Sequence, residues 1–147
     1  MYSQAQLNTV LSETKDGLTR IFGDSLCDVL LYGSCARGEQ DEESDIDVMA
    51  LVNLPKTALS QYRRMVSDLS SSIDLRRDVL LSIKLQDMDS FQRYGKTLPY
   101  FQNVRREGVR VVISAGASQT EALDRGAISA WIPLARRGHA WYTVVET

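Results

Sequence analysis

Gly33-Ser34 is followed after ten residues by Asp45-Ile46-Asp47. A glycine lacks the Cβ that would keep a phosphate from the backbone, and the serine beside it offers a hydroxyl and an amide to phosphate oxygens. In an extended strand, residues two apart leave by the same face, so Asp45 and Asp47 project together while Ile46 and Val48 turn to the other side. Paired carboxylates of this kind suit magnesium, which takes one or two carboxylates and completes its shell with phosphate oxygens; two such ions can clamp an attacking and a leaving oxygen. The combination implies chemistry on a nucleoside triphosphate.

Two apolar strands, 27–32 and 46–52, must hold these residues, with a polar loop over 33–44 between them. Six acids fall within 39–47, leaving 17 basic against 13 acidic residues elsewhere, so negative charge is concentrated where a cation is expected. In the loop, Arg37 is suited to brace a triphosphate by a bidentate guanidinium, or to a surface role. Ser44 either caps the turn into the strand or hydrogen-bonds Asp45 and orients it.

Around this pair the chain reads as α+β, a mixed β-sheet of about four strands with helices packed on it. Leu7, Val10, Leu11, Leu18, Ile21 and Phe22 recur at helical spacing and predict a helix over 5–22 closed by Gly23. A second helix starts near Pro55, shows Leu59, Tyr62, Met65, Val66 and Leu69 on one face, and ends within Ser70-Ser71-Ser72. A strand over 79–85, short helices over 87–94 and 99–107, a stop at Gly108 and a strand over 109–113 complete the unit. At 147 residues one domain is expected, over 1–113. A linker-like stretch at 115–118 opens a tail, 114–147, with a short helix broken at Pro133.

Several classes lose support. No apolar run spans a bilayer and the N-terminus does not read as a secretory signal, so a cytoplasmic protein is expected. Cys27 and Cys35 form neither a disulfide framework nor a zinc spacing, and are expected as free thiols, Cys35 within the phosphate loop. His139 stands without a triad pattern. The arginine pairs 63–64, 76–77, 105–106 and 136–137 have no interleaved aromatic stripe and read as solvated helix ends, which makes a nucleic-acid partner unexpected.

At these residues the sequence resembles the nucleotidyltransferase superfamily of the DNA polymerase β type, and within it the minimal nucleotidyltransferase proteins; the likeness covers 28–112. It implies that Gly33 and Ser34 hold the nucleotide phosphates and that Asp45 and Asp47 bind divalent metal, with Mg²⁺ and ATP or another NTP as cofactor and substrate. It also implies transfer of a nucleoside monophosphate to a hydroxyl of a protein or small molecule, with release of pyrophosphate. Some members are antitoxins that adenylylate a HEPN-type toxin, so such a toxin is a candidate partner, and a homo-oligomer would supply the helical domain a small-molecule acceptor needs. Members usually bring a third acid from a neighbouring strand as ligand and general base. In Asp78-Val79-Leu80-Leu81-Ser82 that place falls on Asp78 or Ser82, with Asp74 as a further choice in a turn or salt bridge. A chain with only two ligands would bind nucleotide with slow transfer, or serve as an antitoxin-like or regulatory binding module.

Overall fold

The computed structural model describes residues 2–38 and 44–111, together with the backbone of strands Leu123–Asp124, Trp131–Arg137 and Ala140–Val145. Helix α1, Gln4–Phe22, starts where the Ser3 hydroxyl accepts the Gln6 N–H at 3.0 Å and stops at Gly23, whose φ of 55° a side chain resists. A 3₁₀ turn leads into β1, Leu26–Tyr32, which is followed by the one-turn helix α2, Ser34–Arg37, and by β2, Ile46–Val52. A 3₁₀ segment, Lys56–Tyr62, runs into α3, Arg63–Arg77. Strand β3 spans Leu81–Asp87, helices α4 and α5 span Met88–Tyr94 and Pro99–Glu107, and β4 spans Val109–Val111.

The sheet order is β3-β2-β1-β4-β5, where β5 is the Leu123–Asp124 pair. Among the described residues only β2 and β3 run parallel, because their connection crosses over through α3; the other pairs of this sheet are antiparallel. Alternation along the strands creates two faces. Val29, Leu31, Val48, Ala50 and Val52 pack against Leu7, Val10, Leu11 and Leu18 of α1 and Val66 and Ile73 of α3. Leu30, Met49 and Leu51 meet Met88, Phe91, Phe101 and Val104 under α4 and α5. The same period sends Tyr32 and Asp47 to the second face.

Four expectations change. α3 does not end in the serine triplet but runs on to Arg77, because Ile73 continues the buried stripe from Val66 and the Ser70 hydroxyl donates to the Leu81 carbonyl at 2.6 Å. β3 therefore begins at Leu81 rather than at 79. Part of the expected loop after Gly33 is helical, as α2. Beyond the sheet, β6 (Trp131–Arg137) and β7 (Ala140–Val145) pair antiparallel where a short helix was expected. Pro133 stays within β6, next to a register irregularity between Pro133 and Ala135, the kind of place a strand tolerates a missing N–H. The acidic stretch 39–43, the linker at 115–118 and His139 lie outside the described residues.

Candidate active site

Asp47 sits at the edge of the second face between two cross-strand neighbours, Tyr32 on β1 and Ser82 on β3. Gly33 follows Tyr32 with φ 75° and ψ −156°. A Cβ built there would lie 2.6 Å from the Asp47 Oδ2, so the position requires glycine twice over, for its backbone angle and for the carboxylate that packs on it. The chain then turns into α2, with the Ala36 and Arg37 N–H groups donating to the Gly33 carbonyl at 3.1 and 3.2 Å. Ser34 opens this turn, where a backbone N–H has no carbonyl one turn ahead of it in the helix.

Asp45 lies one residue ahead of β2 and is exposed, whereas Asp47 is partly buried. Burial and the negative charge of Asp45 push the Asp47 carboxyl above its usual range, against the pull of Lys84 and Arg37. Two acids that repel each other in this way attract a divalent cation. Among the described residues no group of three or more His, Cys, Asp or Glu gathers, so any metal here would rest on these two carboxylates and on oxygens of its substrate.

Cys35 is buried, and its thiol lies 3.5 Å from the Asp45 carbonyl, to which it donates. Burial and both aspartates push this thiol up, which leaves little thiolate and makes it a fastener rather than a nucleophile. The Ser44 carbonyl accepts from the Tyr2 hydroxyl at 3.1 Å, so the start of the chain ties down the approach to Asp45. Arg37 pairs with Glu107 of α5 at 2.8 Å, which links α2 to the second face while its charge still reaches Asp47.

The candidates for a third acid do not join this group. Asp78 is the exposed C-cap of α3 in a left-handed conformation, φ 53°, and lies off the strand. Asp74 uses its Oδ1 to accept the Leu81 N–H at 2.8 Å and so fixes the turn into β3. Ser82 is the residue in register with Asp47.

Three residues beside the site were not read from the sequence. Lys84 stands 5.2 Å from the centre of the Tyr100 ring, and the Tyr100 hydroxyl donates to the Tyr32 hydroxyl at 3.0 Å. Burial first and then Tyr100 push the Tyr32 hydroxyl up, so it stays neutral. Lys84 was within reach of period-two reading from Ser82; the tyrosine pair depends on how α5 docks.

The glycine turn packs on one of two mutually repelling carboxylates at the end of an antiparallel β-pair, and residues 11–101 around it match the nucleotidyltransferase domain family. The chain belongs to that family. It is a nucleotidyltransferase. This nucleotidyltransferase is 36% identical over 93 residues to a candidate protein adenylyltransferase of Methanocaldococcus jannaschii, a match spanning 58% of this chain and 92% of the relative. It is 36% identical over 61 residues to a second protein of the same organism and the same description, covering 41% of this chain and 42% of that one. In three dimensions it resembles the crystal structure of a candidate nucleotidyltransferase from Sulfolobus solfataricus, with TM-score 0.52, 18% identity, and coverage of 74% of this chain and 81% of the other; this likeness concerns the fold. No helix among the described residues is long and apolar enough to cross a membrane.

Proposed function

We propose that this nucleotidyltransferase is a cytoplasmic protein adenylyltransferase that moves AMP from ATP to a hydroxyl of a protein, and that it does so slowly. The single observation that carries the reading is the packing of the Gly33 turn on Asp47, which puts a phosphate-binding backbone against one of two carboxylates that repel each other. The protein relatives described as adenylyltransferases support AMP and a protein acceptor.

In this reading Gly33 and Ser34 receive the triphosphate, Arg37 adds positive charge beside it, and Ser44 holds the approach to Asp45 through its carbonyl. Asp45 and Asp47 would hold Mg²⁺, which when bound neutralises the triphosphate and the departing pyrophosphate. The acceptor oxygen forms a bond to the α-phosphorus, the bond from that phosphorus to the pyrophosphate oxygen breaks, and the acceptor proton leaves. With Ser82 rather than a carboxylate beside Asp47, and Asp78 away on the cap of α3, that proton goes to water. With no general base supplied by the described residues, transfer is slower by on the order of 10²–10⁴.

Calorimetric titration of ATP with and without Mg²⁺, followed by labelling of protein acceptors with ATP labelled at the α-phosphate, tests this. Magnesium-dependent binding lost in Asp47→Asn, and labelling lost in Asp45→Ala, are expected. Absence of both in the wild type sinks the proposal.

The serine at position 82 also favours a second reading, in which the fold acts as a binding module that pairs with a HEPN-type toxin. Co-purification with such a toxin that survives Asp45→Ala together with Asp47→Ala, without any labelled product, would select it.

A further inference from the structure

β3 is an edge strand, with β2 on one side and no strand of the described residues on the other. The Ile46 N–H donates to the Leu80 carbonyl at 2.7 Å. Backbone groups alternate sides along a parallel ladder, so Ser82 and Lys84 turn theirs to β2, while Leu81, Ile83 and Leu85 turn theirs outward. Those of Leu81 are covered from α3, the N–H by Asp74 and the carbonyl by Ser70. For Ile83 and Leu85 no partner occurs among the described residues. Outside this open stretch lies a groove of about 530 Å³ between α3 and β3, with Ser67 and Ser71 along its helical wall and Arg63 supplying its charge.

We propose that this groove docks the protein acceptor as an extended, acidic segment that adds a strand to β3 at Ile83 and Leu85; the inference rests on the reading that the acceptor is a protein. Open main-chain groups on a sheet edge are the standard means of binding an extended peptide, and the groove beside them has the volume for several of its side chains. The small serines of α3 leave that volume empty. Among the described residues no acid lines the groove and Arg63 makes no ion pair, so its charge selects acidic residues. The position also suits the reaction: Ser82, in register with Asp47, belongs to the docking strand, and an added strand would send every second side chain to the face that carries the carboxylates. A second copy of this chain is the poorer occupant, because pairing β3 with itself would bring Lys84 and Arg63 of both copies along one seam, and like charges across a strand pair are destabilising.

The test reads amide hydrogen exchange by NMR on the full chain, with a random copolymer of glutamate and tyrosine as probe and one of lysine and tyrosine as control. In the protein alone the Ile83 and Leu85 amides exchange fast and those of Ser82 and Lys84 slowly. Saturating acidic copolymer slows Ile83 and Leu85 at least about tenfold, and Ser67→Trp, which fills the groove, or Arg63→Glu, which reverses its charge, removes the slowing. The proposal is overturned if the acidic copolymer leaves both amides unchanged or if the basic one slows them equally. It is also overturned if they are already slow in the protein alone and slower at higher protein concentration, since a second copy then fills the edge. Because exchange is read without any transfer, ATP calorimetry on the same samples separates the two ideas. ATP binding without protection removes the docking site, whereas protection without ATP binding removes the nucleotide reading and retains the docked segment.

Discussion

The two faces of the sheet differ in what they bury. Under α1 and α3, twenty buried residues form one apolar cluster; under α4 and α5 only seven do, among the described residues. The second face spends the rest of its area on charge and hydroxyls: Asp47 with Ser82 and Lys84 at one end, the Tyr32–Tyr100 pair beside them, and Asp28 gripped by the Arg110 guanidinium at 3.0 and 2.9 Å. An ionised carboxylate needs water or a charged partner around it, which a sealed apolar layer denies. Apolar packing is therefore concentrated on one face, and charged and hydroxyl groups are gathered on the other.

Substitutions can break that division, and the largest effect is expected at Asp47. Asp47→Asn should lower the rate of nucleotidyl transfer by about 10²–10³ while the protein keeps its fold, since the change removes charge and not volume; single-turnover kinetics beside a thermal melt checks both. Next is Ser82→Asp, which restores a carboxylate in register with Asp47 and should speed transfer by about 10². No gain, with Mg–ATP binding intact, would show that the acceptor proton does not limit the rate. On the other face, Leu18→Ala should cost about 2–5 kcal/mol in urea unfolding and leave the Mg–ATP affinity of the folded protein unchanged. A comparable loss of affinity would mean that the faces are coupled.

Gly33→Ala lies at the boundary between the two. It should cost about 1–3 kcal/mol for a backbone conformation that only glycine adopts freely, and it should also weaken nucleotide binding, because the new methyl displaces Asp47.

The smallest expected effect is a pH slope. Burial holds the Asp28 carboxyl above its ordinary 3.8, outweighing the attraction of Arg110. Between the unfolded and folded pKa the native state binds more protons, so this residue's contribution is fully present below the unfolded value and is lost as pH rises through the folded one. Wild-type stability minus that of Asp28→Asn should therefore decline with pH from about 4 upward, and a rising difference would show that the ion pair dominates.

Much of this was legible locally. The strand at Ile46–Val52, the helix ending at Gly23 and the helix Pro99–Glu107 follow from apolar period, a cap glycine and a first-turn proline, signals carried by neighbours in the chain. The end of α3 was not legible, because three serines resemble a stop until Ile73 is seen buried and Ser70 bonded to β3. The same extension, five residues past Ser72, moved Asp78 from a strand edge to a helix cap.

By itself, the sequence determined the glycine-serine turn, the two aspartates and the α+β alternation, since each depends on residues a few positions apart. Only the tertiary structure decided what stands beside Asp47. Register between strands thirty-five residues apart put Ser82 there, the docking of α5 brought Tyr100 to Tyr32, and the sheet order of the described residues put β3 at the edge. Those outcomes are fixed by packing between distant segments, and local propensity contains no information about it.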